Sequence, residues 1–298
     1  LPLPLYRQFR TQQELDAQYD VERSVADFGQ YARHFVEQSK LARHRLTCRL
    51  DERYGPTLDE HLDVFPAGRG APILVFFHGG YWRMLSSKEF SCIALGPVPA
   101  GVTVVNVNYA LCPGVTIDEI VRQARAAIVW TWRRAESFGG DRNRIYVSGH
   151  SAGAHLAAMT LGTDWAGTYG LAPDLVKGAF CISGLYDLRP LPFTFVQPSL
   201  QLTAEQILRN SPALAPPRGI AAPLMVSVGG REPAEFQRQT RDFLDAWRVT
   251  GNTGEAVAQP EADHFSILSG FEDPASVLCR ALFRLMRIVP AGTGHRRH

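Results

Sequence analysis

A chain of 298 residues with 45% hydrophobic and 20% charged residues is long enough for one large core and ordinary for a globular enzyme. The net charge of +2, with no dense basic run before the tail, argues against a nucleic-acid partner, and no apolar run approaches the roughly 20 residues of a membrane span. The five cysteines (Cys48, Cys92, Cys112, Cys181 and Cys279) are odd in number and form no C-x-x-C pair. They suggest neither a disulfide framework nor a zinc site, and they fit a reducing, cytoplasmic setting.

In chain order, residues 1–60 read as a helical arm ahead of the main domain. Leu1-Pro2-Leu3-Pro4-Leu5 is extended by its prolines. Thr11 and Glu14 form a capping-box pattern that opens a short helix around Leu15. A second helix is expected from Val21 to Leu41, with Val25, Phe28, Ala32, Phe35 and Val36 on one face. Residues 61–290 then read as the catalytic domain. Strands are expected at Leu62–Phe65, Ile73–Phe77, Val102–Val107, Ile145–Val147, Gly178–Ser183, Leu224–Val228 and near Glu255–Ala258. Helices are expected at Ile117–Phe138, from Ala154 to Leu161, near Ala234–Trp247 and at Pro274–Ile288. This alternation predicts an α/β fold with a mostly parallel central sheet and helices on both faces, its site at the carboxyl ends of the strands. Residues 291–298, with His295 and His298, read as a disordered tail.

The element that carries chemistry is Gly149-His150-Ser151-Ala152-Gly153, a G-x-S-x-G match between a strand and an Ala-rich helix. In that context two glycines permit the sharp turn that lifts a serine hydroxyl out of the sheet. The helix behind it turns free amides and a positive dipole end toward a developing oxyanion. His78-Gly79-Gly80-Tyr81-Trp82 follows the strand ending at Phe77. An amide of Gly79 or Gly80, with that of Ala152, would make a two-donor oxyanion hole. His78 is read as structural, and Tyr81 and Trp82 as either core aromatics or substrate-binding pocket wall. After Ser151 the fold's chain order calls for an acid and then a histidine. His264 is the expected base and Glu232, in the loop after Val228, the expected acid. Glu235 falls on the following helix, and Asp263 is too close in sequence to reach the far ring nitrogen.

Together with Ser183-Gly184-Leu185-Tyr186-Asp187-Leu188, Asn210-Ser211-Pro212 and Asp263-His264-Phe265, these segments resemble the kynurenine formamidase (arylformamidase) family within the α/β-hydrolase esterase/lipase branch. The resemblance covers about Leu62 to Leu285. It implies an α/β-hydrolase fold, Ser151 as nucleophile, His264 as base, an acid at position 232, and cleavage of a formyl amide of an aromatic amine. In one respect the chain departs from the family, whose acid is normally aspartate. Metal and organic cofactors are not called for. A small, aromatic substrate is expected, and a homodimer is left open. Alternatives are a carboxylesterase of short-chain esters and an acyltransferase or cyclase. A non-catalytic receptor on the same fold would have no need of a complete Ser/Glu/His set.

Overall fold

The computed structural model describes residues 3–288, so the tail expected at 291–298 lies outside the described residues. The strands are β1 (Arg49–Arg53), β2 (His61–Phe65), β3 (Ala71–Phe77), β4 (Thr103–Val107), β5 (Gly140–His150), β6 (Val176–Ile182), β7 (Leu224–Gly229) and β8 (Gly254–Gln259). They form one sheet in the order β1-β2-β4-β3-β5-β6-β7-β8. β1 and β2 pair antiparallel, as do β2 and β4, while every pairing from β4 through β8 is parallel. β3 and β4 are buried along their whole length, which is why they read as mainly apolar runs, interrupted in β4 only by the buried Thr103 and Asn106. β1 escaped notice in the sequence because its residues, Arg-Leu-Asp-Glu-Arg, are almost all exposed and show no period-two apolar signal.

The helices are α1 (Gln12–Tyr19), α2 (Phe28–Arg45), α3 (Ile117–Arg134), α4 (Ala152–Leu161), α5 (Trp165–Tyr169), α6 (Gln197–Leu200), α7 (Ala204–Arg209), α8 (Ala234–Val249) and α9 (Val277–Leu285). α1 opens with the capping box read from Thr11 and Glu14. α2 begins seven residues later than the apolar pattern suggests. The Asp27 carboxylate accepts the Gln30 amide and caps the helix there. Residues 20–27 are instead a turn segment in which Val21 is buried. α9 is likewise shortened at its start, where the Ser276 hydroxyl accepts the Cys279 amide. The apolar α4 is buried almost everywhere, because it sits under the sheet at β3, β5 and β6 with α3 beside it.

The arm folds onto the domain and joins its core, which includes Leu15, Tyr19, Val21 and Phe35. α1 lies against α8, where the Tyr19 hydroxyl donates to Glu235 (2.9 Å), and the Phe195 amide, just before α6, donates to Asp16 of α1 (2.7 Å). α2 runs along the loop that follows β3. Ser39 donates to the Glu89 carbonyl (2.8 Å), and Arg43 donates to the Lys88 carbonyl (2.6 Å). At its other end α2 touches the loop after β8. Tyr31 donates to Asp263 (2.7 Å), and Phe28 and Tyr31 pack on the Phe265 ring.

Candidate active site

Ser151 stands at the end of β5 with φ +56°, a left-handed conformation that costs a non-glycine residue energy and is held by its surroundings. The turn is possible because its two glycines carry no side chain. A Cβ on Gly149 would overlap the Gly153 carbonyl, and one on Gly153 would overlap the carbonyls of Phe77 and His78. Behind the serine, α4 starts at Ala152, so that amide has no helical acceptor. Gly79 lies directly alongside, since a Cβ there would come within 3.2 Å of Ser151 Cβ. Among the described residues, the amides of Gly79 and Gly80 donate to no protein acceptor. The amides of Gly79, Gly80 and Ala152 are therefore without a protein acceptor among the described residues.

Glu232 and His264 meet from the loops after β7 and β8, Ser151 at the end of β5 lines the same cavity as His264, and all three are nearly buried (4%, 2% and 3% exposed). His264 Nδ1 donates to Glu232 Oε2 at 2.7 Å, and Nε2 makes no hydrogen bond to a described residue. Its ring packs against Phe236 (4.7 Å between centroids) and Phe265 (5.4 Å). From the other side, His150 Nε2 donates to the His264 carbonyl (2.8 Å), tying the elbow to the histidine loop. The turn carrying His264 is built on Asp263, which accepts the Phe265 and Ser266 amides (both 2.9 Å) and the Tyr31 hydroxyl. Burial opposes ionisation of Asp263, but those hydrogen bonds outweigh it and hold its carboxyl below the usual range. Asp263 thus shapes the loop and makes no contact with the imidazole's outer nitrogen.

Glu235, the other carboxylate near the acid position, is buried on α8 in an ion pair with Arg238 (2.7 and 2.8 Å) and accepts the Tyr19 hydroxyl. It joins the arm to the domain. Ser183 is a residue whose part the sequence reading missed: its hydroxyl donates to Glu232 Oε1 at 2.5 Å. The signal available was its place in the Ser183–Leu188 segment that carries part of the family resemblance.

His78 and His155 are scaffold. His78 is stacked between Tyr109 (4.1 Å) and Phe90 (5.7 Å) and donates to the Gly79 carbonyl, and burial lowers its pKa to about 4. His155 donates to the Asn210 carbonyl (2.7 Å), so the Asn210-Ser211-Pro212 segment braces the back of α4, and burial again lowers its pKa to about 4. Each of these two is neutral in the folded state but protonates near its ordinary value when unfolded. Their contribution to stability is therefore whole above pH 6.5 and declines as the pH falls from there toward 4. We expect about 1.4 kcal/mol lost per histidine between pH 7.5 and 5.5. Urea unfolding at the two pH values measures it, and equal stability would refute the buried neutral rings.

Tyr81 and Trp82 part company. Both lie in the left-handed region (φ +49° and +54°), in a turn closed by the Arg83 and Met84 amides on the Gly80 carbonyl. Tyr81 lines the cavity over Ser151, packs edge-on to Phe195 and donates its hydroxyl to the Tyr19 carbonyl. Trp82 is fully buried with its ring edge-on to His155 at 5.0 Å, and it does not reach the cavity. Its expected place in the pocket wall is corrected accordingly: the chain turns at Gly80, so two successive side chains leave in different directions.

The cavity itself measures about 450 Å³ and contains Ser151, His264, Gly79 and Gly80 in its lining. Its walls are largely aromatic and aliphatic, including Phe28, Phe35, Phe90, Phe195, Phe265 and Leu268. The arm contributes residues 20–23 and the first turns of α2 to that lining. Away from it, Asp51, His61 and Asp63 bring ligand-type atoms within 4.8 Å of one another. Lys88 Nζ already occupies that cluster, 2.8 Å from Asp51 and 2.7 Å from Asp63, so it is an ion-pair site.

Residues 74–267 match a family model described as the alpha/beta hydrolase fold. The kynurenine formamidase of Danio rerio is 35% identical over 80% of this chain and 81% of its own length, and that of Salmo salar is 35% identical over 84% and 86%. Esterase LipQ of Mycobacterium tuberculosis is 29% identical over 72% of this chain and 56% of its own length. Among solved structures, a protein from Silicibacter sp. TM1040 superposes with a TM-score of 0.77 at 29% identity, covering 90% of this chain and 98% of that one. An esterase of Pyrobaculum calidifontis shares the fold at a TM-score of 0.66 and 21% identity, covering 88% and 92%. A nucleophile elbow with a buried Glu–His pair, on this sheet and with these relatives, leads to one assignment: the chain belongs to the kynurenine formamidase family of α/β-hydrolases and is a serine-type hydrolase.

Proposed function

We propose that the protein is an arylformamidase, which removes a formyl or similarly small acyl group from an aromatic amine through an acyl-serine intermediate. The observation that carries this reading is the cavity. Its aromatic walls close over Ser151 and suit a flat aryl group, by stacking and apolar burial, better than a long flexible chain. Ser151 Oγ attacks the carbonyl carbon while His264 Nε2 takes its proton. The amides of Ala152 and of Gly79 or Gly80 hold the oxyanion. Glu232 keeps the imidazole in the Nδ1–H tautomer and stabilises the imidazolium. His264 then returns the proton to the leaving amine, and water, deprotonated by the same ring, cleaves the acyl-serine.

The kynurenine formamidase relatives support a formamide substrate, and the esterase relative keeps short aryl esters as a second reading. Among the described residues no helix is long and apolar enough to cross a membrane, and all five cysteines are free, which supports a reducing, cytoplasmic setting. A small-molecule partner is part of this proposal, with no nucleic-acid or membrane role.

Side-by-side rates on N-formylkynurenine and an acyl-length series of p-nitrophenyl esters test the proposal. We expect formamide cleavage, ester rates that fall steeply beyond the shortest acyl groups, and no activation at an oil–water interface. Widening the wall with Phe195→Ala should relax the length dependence. A preference for long acyl chains in the wild type would refute the proposed pocket.

A further inference from the structure

The acid of the catalytic set is a glutamate where the family resemblance leads one to expect an aspartate, and its surroundings explain how the longer side chain serves. Glu232 lies in the loop after β7, whose last residue, Gly229, donates its amide to Glu232 Oε1 at 2.7 Å. The same oxygen receives the Ser183 hydroxyl at 2.5 Å, while Oε2 receives His264 Nδ1 at 2.7 Å. Three donors thus meet the two oxygens, with two of them on the oxygen that faces away from the histidine.

Ser183 is fully buried just past the end of β6. It has φ +52°, and its amide donates to the Ser227 carbonyl on β7 (2.8 Å). The backbone at this point is therefore fixed by the neighbouring strand, and the hydroxyl is delivered from a rigid support. A glutamate has one more rotatable bond than an aspartate and needs an additional anchor to present a single oxygen to the imidazole. Hydrogen bonds to an ionised carboxylate are short and strong, so two of them on Oε1 suffice to select one rotamer.

We propose that Ser183 is a positioning residue of the catalytic machinery, which with the Gly229 amide clamps Glu232 Oε1 and so aims Oε2 at His264. It touches neither substrate nor the reacting atoms, and it acts through Glu232. This rests on the serine-hydrolase reading of Ser151, Glu232 and His264. It is independent of which acyl group is cleaved.

The test uses Ser183→Ala and Ser183→Gly, both of which remove the hydroxyl. The glycine also removes any backbone penalty at positive φ, so a defect shared by both variants belongs to the hydroxyl. Each is expected to lower kcat about 10- to 100-fold with KM changed by less than about twofold, the scale of one hydrogen bond to a charged group. The rate at which a serine-directed phosphonate labels Ser151 should fall by a similar factor. That readout needs no formamide, so a wild type that reacts with the phosphonate but spares formamides defeats the substrate proposal and leaves this one testable. In a Glu232→Gln background the Ser183→Ala change should cost less than about twofold, because its route of action is already lost. Glu232→Asp, although it restores the expected family residue, should lower kcat about tenfold or more, since the shorter side chain cannot span both anchors and the imidazole. The far-downfield proton resonance of His264 Nδ1–H should move or broaden in Ser183→Ala. Wild-type kcat in Ser183→Gly, a full additional loss in the Glu232→Gln background, a wild-type rate in Glu232→Asp, or an unchanged Nδ1–H resonance in Ser183→Ala would each overturn the proposal.

Discussion

Replacing Ser151 by alanine is expected to abolish hydrolysis, by about 10⁶-fold in kcat on the scale of nucleophile removal in serine hydrolases, while the protein stays folded. The hydroxyl makes no cap or scaffold hydrogen bond at the start of α4, so its loss breaks nothing structural. The backbone at φ +56° is held by neighbours that remain. The Ser151 amide donates to the Ile182 carbonyl (2.9 Å), and the glycine contacts on either side are unchanged. Alanine fits the same space. A serine-directed phosphonate should label Ser151 in the wild type and leave the variant unmodified. Circular dichroism and thermal melts should be indistinguishable between the two. Full activity in the alanine variant would remove the nucleophile from the argument, and every later step with it.

Glu232→Gln is the second large effect, an expected fall in kcat of about 10⁴-fold on the precedent of aspartate-to-amide changes in serine triads. The structure supplies the reason for its size. Glu232 accepts on both oxygens, from Ser183 and Gly229 on one and from His264 on the other. An amide has one acceptor oxygen, so its NH₂ must face a donor on one side. Facing Ser183 and Gly229 it breaks the clamp, and facing His264 it forces the wrong tautomer. Glu235→Gln is the matched control and should fail differently. Glu235 is buried beside Arg238, with Asp242 as that arginine's remaining acidic partner (2.9 Å). Removing its charge is expected to cost about 3 kcal/mol of stability, seen as a lower urea midpoint, with turnover of the folded fraction close to wild type. If the two variants exchanged phenotypes, the carboxylate on α8 would be the acid and the assignment of the loop would fall.

Much of this protein is legible in its sequence, and what is legible is local. A strand buried on both faces must be an apolar run, so β3 and β4 announced themselves. A strand–turn–helix elbow must lack Cβ atoms at two positions, so Gly149 and Gly153 marked Ser151. The order of serine, acid and histidine follows from the order of the parallel strands, which placed Glu232 and His264 in the loops after β7 and β8. Proline at 233 sits at the start of α8, and that alone separated Glu232 in the loop from Glu235 on the helix.

What only the tertiary structure decided depends on residues far apart in the chain. Ser183 and Glu232 are 49 residues apart, and Tyr31 and Asp263 are 232 apart. No periodicity connects such pairs, because each residue is placed by a different strand end or helix face. The start of α2 at Phe28 rather than Val21 turned on one capping aspartate competing with an apolar stripe. The opposite fates of Tyr81 and Trp82 turned on the backbone angles of a glycine-led loop, which residue type does not report. The sequence by itself determined which chemical groups are present and roughly which strand end bears each. Packing decided which of them touch, because burial and hydrogen-bond geometry are settled only when the sheet brings its loops to one edge.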